Sequence, residues 1–255
     1  MNFDITSPGN ERIKQLVRLR ERTRRDTEGR FLVEGQRLLT RALAAGLEPI
    51  EIYCDGSVPV DATAPVTTVE PTVLAKASYR KKSQGVIAVF DQFRRELEEI
   101  ELGQIPLLVA TESVEKPGNL GAIVRTADAA GADAVVDVSG ATDLFNPNLL
   151  RASTGAIFTT PLTSAPLDDL AGFCSSRSMM LAVADPGGDT SLFDLDLTRP
   201  TCIVVGSEDT GVSTETAHMA DVLFSIPMRG SVDSLNVSTT VAVTLFETVR
   251  QRSPR

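Results

Sequence analysis

Three short segments of this 255-residue chain combine glycine with polar side chains at spacings that could hold a ligand. The first is Lys116-Pro117-Gly118-Asn119-Leu120-Gly121, followed by Arg125. The second is Gly206-Ser207-Glu208-Asp209-Thr210-Gly211. The third runs from Ile226 through Met228 and Gly230 to Ser234-Leu235-Asn236. None is a phosphate cradle. The first lacks the GxGxxG spacing of a dinucleotide fold, and the second lacks the Lys-Ser/Thr of a P-loop. ATP and NAD chemistry are therefore unsupported. Residues 206–211 contain no Lys or Arg, which suits a ligand that is neutral or cationic there. Taken singly, each segment also fits ordinary turn chemistry, with glycine at φ > 0 and Ser or Asn capping a helix. Three of them at strand ends of one domain weaken that explanation. One histidine, His218, and three cysteines without CxxC spacing argue against a His dyad, a zinc site or any other metal.

Such segments need strands to place them. In the second half, the apolar runs Leu107–Ala110, Ala134–Val138, Met179–Ala184, Cys202–Val205 and Val222–Ile226 predict strands. Helices are expected over Gly118–Ala130, closed by Gly131, and over Pro147–Ser153 and Leu167–Ser176. Another spans Asn236–Arg250, where Val237, Val241, Leu245 and Val249 form one stripe. Strands that are apolar throughout predict a parallel sheet buried on both faces. Open sheets of that kind bind ligands beyond the carboxyl ends of their strands. The first half alternates too. Strands are expected at Phe31–Val33, Ile50–Tyr53, Val66–Val69 and Val86–Phe90, with helices at Gly35–Ala45 and Pro71–Ser78. This predicts a small α/β domain at 1–95, a charged linker at 96–105 and a larger α/β domain at 106–255.

Charge separates the halves further. The whole chain carries 25 basic and 34 acidic residues, a net charge of -9, which argues against a protein that simply coats nucleic acid. Yet residues 1–99 hold 16 basic and 15 acidic residues, against 9 and 19 in 100–255. The basic ones cluster. Arg18, Arg22, Arg24 and Arg25 lie in a stretch that reads as helical, with Ile13, Leu16 and Val17 on one face and Asn10 as its cap. Arg80, Lys81 and Lys82 form a second cluster. Either these are solvated faces or they are phosphate-contacting arms, and two clusters in an acidic protein favour RNA or DNA. No apolar run approaches membrane-spanning length, and no secretory signal opens the chain. Each cysteine is flanked by apolar residues and reads as core, in a reducing cytoplasm.

The segments NLGAIVRTADAAGA, VVGSEDTGVS and SIPMRGSVDSLNVS, in that order, resemble the three motifs of the SpoU (TrmH-like) RNA ribose 2′-O-methyltransferases of the SPOUT class. The similarity covers most of residues 106–250. The first half, with TRRDTEGRFLVEGQRLL, is similar to the L30e-like RNA-binding domain found in that family. The resemblance implies an α/β SPOUT domain with a C-terminal trefoil knot, a homodimer, and S-adenosylmethionine as methyl donor. It implies donor contacts from Gly206, Ser207, Glu208, Gly211, Ile226, Met228, Ser234, Leu235 and Asn236, completed by Ala184 and Asp185. It gives Arg125 the role of contacting the reacting ribose or its phosphate. Asn119 caps its helix or orients that ribose, and Glu208 fixes Arg125 or lines the donor site. Ser234 and Asn236 begin a helix and meet donor or substrate, while Arg151 in LLRASTGAIF meets RNA phosphate. Ribosomal RNA is the expected substrate. The alternatives are transfer RNA, or an assembly factor that keeps the fold without catalysis.

Overall fold

The structure, a computed structural model, describes residues 2–60, 64–80, 82–138, 140 and 142–253. The chain divides into two compact units, Met1–Phe93 with Phe145–Phe158, and Arg94–Leu144 with Thr159–Arg255.

The first unit begins with α1 (Glu11–Arg18), where Asn10 accepts from the Arg12 amide as the sequence predicts. The basic stretch is not one helix. It stops at Leu19 and restarts as α2 (Arg22–Glu28). The Arg25 guanidinium folds back and donates to the Leu19 carbonyl, at 2.8 Å, satisfying the end of α1. After β1 (Arg30–Glu34) come α3 (Gln36–Ala44), β2 (Glu51–Cys54), β3 (Val66–Thr68), α4 (Pro71–Ala77) and β4 (Val86–Asp91). The sheet order is β1-β4-β2-β3, with only the β2–β3 pair parallel. Alternation along β1 feeds both faces. Leu32 joins Ile13, Leu16, Tyr53, Val73 and Leu74 on one side. Phe31 stacks with Phe90 and meets Phe93 and Phe145 on the other.

Among the described residues, the second unit is built on a seven-stranded parallel sheet of order β7-β6-β5-β10-β8-β11-β9. It starts with β5 (Leu107–Thr111), α5 (Pro117–Ala130) and β6 (Ala134–Asp137). The chain then contributes α6 (Pro147–Ala152) to the first unit. It returns as β7 (Leu162–Ser164), α7 (Leu167–Ser176), β8 (Met180–Ala184) and β9 (Thr190–Ser191). It ends with β10 (Thr201–Val205), α8 (Thr214–Met219), β11 (Val222–Ser225) and α9 (Val237–Arg252). Every pairing is parallel. The central strands are apolar because both faces are covered, as the sequence predicts. Cys174 and Cys202 are core residues here and Cys54 in the first unit, all three free thiols. Strands β7 and β9 escape the sequence because two or three edge residues carry no apolar run, and the six-residue helix α8 because TETAHM carries no apolar stripe.

Candidate active site

The order of the central strands brings the three glycine-bearing segments together. Strand β10 lies between β5 and β8, and β8 is followed by β11. Their carboxyl ends therefore share one edge, at the point where the strand order reverses. A cavity of about 330 Å³ opens there, a volume suited to a small organic ligand. Ala184 and Asp185 line it from β8, Gly206, Ser207, Glu208 and Gly211 from β10, and Ile226, Met228, Ser234 and Leu235 from β11. Its floor is apolar, with Val205, Phe224 and Val237. Four acids and no Lys, Arg or His line it: Asp185, Glu208, Asp209 and Asp233.

Backbone geometry makes this cavity. Ser207 and Gly211 exchange backbone hydrogen bonds, at 3.0 and 3.1 Å, which closes loop 206–211 into a tight ring. Gly211 takes φ +68°, and a Cβ on Gly206 would sit 2.0 Å from the Gly211 carbonyl carbon. A side chain at position 206 would break the ring. The loop is tied down where the Ser213 amide donates to Glu112, at 2.9 Å.

Beside the cavity, Glu208 gathers three polar side chains. Lys116 donates to its Oε2 at 2.5 Å, and Asn119 to its Oε1 at 3.1 Å. Asn236 also donates to Oε1 and reaches Asn119 Oδ1 at 3.5 Å. Asn236 is at the same time the cap of α9, accepting from the Ser238 amide at 3.0 Å. Capping and site-building are thus one arrangement. The Lys116 hydrogen bond and charge, with the two amides, hold the Glu208 carboxyl below its ordinary value, and Glu208 raises Lys116 in turn. Lys116 was not among the residues singled out from sequence. The available signal was a lysine directly before a helix start, where the helix dipole disfavours a cation unless an acid answers it.

Arg125 stands apart. It is exposed on α5, and among the described residues it makes no side-chain hydrogen bond or ion pair. Glu208 therefore does not hold Arg125 within one chain; it is taken by Lys116 and the two asparagines. Asp128 does not hold it either, since that carboxylate accepts from the Thr159 and Thr160 hydroxyls. Six positions separate Asn119 from Arg125, about 9 Å along the helix and about 120° around it.

Of the basic residues, Arg18, Arg22, Arg24 and Lys82 are exposed, and Arg80 and Arg151 are half-buried. Arg25 is a correction: it is 2% exposed and serves the end of α1, so it has no face for RNA. Lys81 lies outside the described residues. Among the described residues no group of three or more His, Cys, Asp or Glu is arranged to hold a metal.

Comparison with known proteins agrees with this geometry. Residues 106–246 match the SpoU rRNA methylase family, and residues 10–88 match an MRM3-like substrate-binding domain. The 23S rRNA (uridine(2479)-2′-O)-methyltransferase of Streptomyces viridochromogenes is 31% identical, over 92% of this chain and 87% of its own. The AdoMet-bound rRNA methyltransferase of Sinorhizobium meliloti superimposes with a TM-score of 0.89 at 29% identity, covering 98% of each chain. A crystal structure of an RNA 2′-O ribose methyltransferase gives 0.87 at 37% identity, over 97% of this chain and 98% of its own. With one family matched over more than half its length and a nearly full-length relative above 30% identity, the chain belongs to the SpoU rRNA methylase family.

Proposed function

We propose that the protein transfers a methyl group from S-adenosylmethionine to a ribose 2′-hydroxyl of RNA, with ribosomal RNA as the substrate. The cavity beyond β8, β10 and β11 carries this reading. Its apolar floor, its glycine ring and the acids Asp185, Asp209 and Asp233, beside the Lys116-paired Glu208, fit a flat aromatic moiety joined to a cationic sulfonium. When bound, that donor supplies an electrophilic methyl group. The rRNA-directed names of relatives matched over both units favour ribosomal over transfer RNA.

The remaining tasks fall to this chain's residues. A ribose hydroxyl is a poor nucleophile, so charge developing on its oxygen must be met by a fixed donor. Arg125 suits that role. A guanidinium offers hydrogen-bond donors and no acceptor, so Arg125 positions the ribose and stabilises alkoxide character without acting as a base. Glu208 fixes Asn119 and Asn236 in one amide orientation, so both can align the ribose. Ser234 and Leu235 close the donor side. The C-terminal knot belongs to the same reading, with the cavity formed by its loops. Arg18, Arg22, Arg24, Arg80, Lys82 and Arg151 serve RNA phosphates.

A homodimer completes the picture. Arg125 lies about 120° around α5 from Asn119, and the apolar side chain of Phe246 stands exposed on α9. Two copies joined there would let Arg125 of one serve the cavity of the other. Among the described residues no helix is long and apolar enough to cross a membrane, and the free cysteines suit a reducing cytoplasm. The test pairs calorimetry of S-adenosylmethionine with mapping of 2′-O-methyl sites in deproteinised rRNA incubated with the protein. Donor binding and one or a few new methylated riboses are expected. Absence of binding at millimolar donor would sink the enzyme, and binding without RNA methylation would sink its substrate.

A further inference from the structure

Within the first unit, three segments far apart in sequence converge on one aromatic ring. Arg20, just past α1, brings its guanidinium carbon 5.8 Å from the centre of the Tyr79 ring. Arg151, on α6, brings its own to the same distance. Asn148, one turn earlier on α6, donates to the Tyr79 hydroxyl at 3.2 Å, and Arg151 donates to Asn148 Oδ1. Arg80 follows Tyr79 directly, its backbone amide bonded to Ser78 Oγ at 3.2 Å.

Three other arginines of the unit have carboxylate partners. Arg12 pairs with Glu51, Arg22 with Asp26 and Arg30 with Asp91. Among the described residues, Arg20 and Arg151 have no carboxylate partner. Arg20 donates to the Lys76 carbonyl at 3.3 Å, and Arg151 is held by a neutral amide. One acid comes near: Glu34, which accepts from the Tyr79 backbone amide at 3.0 Å and from the Ser78 hydroxyl. Two guanidinium ions at one ring, with Glu34 already engaged by backbone and hydroxyl donors, leave a surplus of positive charge among the described residues. Neutral partners orient these cations without neutralising them. All four side chains of the cluster, Arg20, Tyr79, Asn148 and Arg151, are half-buried, so they are both held in place and reachable.

A tyrosine ring with oriented guanidinium groups over it, each offering a planar face and charge, fits a polyanion whose bases can stack. Duplex RNA offers only phosphates and 2′-hydroxyls at such a surface, whereas an unpaired stretch also offers base faces. We infer that Tyr79, Arg20, Arg151 and Asn148 form a recognition site for an unpaired stretch of the RNA substrate. A base packs against Tyr79, and the flanking phosphates meet Arg20 and Arg151. The inference rests on the RNA methyltransferase reading and adds to it where on the first unit the substrate is gripped.

The competing role for these contacts is to pin α6 to the rest of the unit. Full-length wild type, Arg20→Gln/Arg151→Gln, Tyr79→Leu and Tyr79→Phe would be compared, with a short single-stranded oligouridylate as probe. Affinity would be measured across a salt series, alongside thermal midpoints and S-adenosylmethionine affinity. The double arginine variant should bind about tenfold or more weakly and flatten the slope of log K against log salt by about 1.4, two phosphates' worth for a single strand. Tyr79→Leu should lose about fivefold or more, the range for one stacked base, and Tyr79→Phe should keep most of the affinity. Donor affinity should not change. Wild-type affinity and slope in the double variant and in Tyr79→Leu would overturn the site. So would a fall in thermal midpoint with oligouridylate binding by the folded fraction unchanged, or a wild type that does not bind the oligomer. Failure of the methyltransferase reading is separate, because it appears as wild-type protein that leaves rRNA unmethylated.

Discussion

Glu208 is the residue on which the second unit's polar chemistry converges. One carboxylate oxygen takes Lys116 and the other takes both asparagines. Those donors hold its pKa below the ordinary 4.5. A carboxylate lowered on folding contributes fully above its ordinary value and loses that contribution as pH falls through the lowered one. Glu208 therefore stays ionised past its ordinary value, and donor affinity should hold level from neutral pH through 4.5 and fall only at more acidic pH. Glu208→Gln keeps the size but loses the charge that Lys116 answers. It should cut kcat/KM by about one to two orders of magnitude and flatten that acidic limb. A pH series of donor titrations on both proteins checks this, and an acid limb unchanged in the variant would assign it to another group. The sequence made Glu208 visible through its motif, but not its partners. Lys116 sits 92 residues away, and only the adjacency of β5 and β10 brings them together.

At the scale of elements, α9 is tied at both ends. Asn236 caps its start beside Glu208. At its finish, Arg252 donates to the carbonyls of Leu197 at 2.9 Å, Ile105 at 2.6 Å, Pro106 at 3.3 Å and Arg199 at 2.8 Å. Gln251 adds a bond to the Leu195 carbonyl and accepts from the Leu197 amide, both at 2.9 Å. Removing a charged donor shared among several carbonyls costs about 2 kcal/mol. In a protein of this size that corresponds to about 4–8 °C in Tm. Arg252→Ala should show that loss by calorimetry, with methyl transfer well below the midpoint close to wild type. The stripe Val237, Val241, Leu245 and Val249 was legible because burial imposes a helical period on the sequence; the first three are fully buried and Val249 is half-buried. The clamp was not legible, because an arginine serving distant carbonyls leaves no local pattern. Arg25 misled for the same reason. A basic residue in a basic run reads as solvated until its fold-back onto Leu19 is seen.

For the whole molecule, the net charge of -9 is uneven, with its acidic excess in residues 100–255, where the proposed donor cavity lies. The proposed homodimer rests on Phe246, 51% exposed on α9. Phe246→Asp should shift sedimentation from dimer to monomer and lower methyl transfer by at least an order of magnitude, because Arg125 loses the second cavity. A monomeric wild type, or a fully active monomeric variant, would refute the shared site. A linear reading divides the chain once, near residue 95. It has no means of assigning Phe145–Phe158 to the first unit, since helix-forming residues carry no address for the core they join.

That crossing also sets an order in time. Arg41 meets Thr154 across 113 residues of sequence, and the ring of Phe145 packs on Phe31. As the chain leaves the ribosome, the aromatic face of the amino-terminal unit therefore cannot close when the unit's own first stretch has emerged. It must wait, partly open, until β5, α5 and β6 of the other unit have been synthesised. Completion of the first unit is thereby made conditional on synthesis of part of the second.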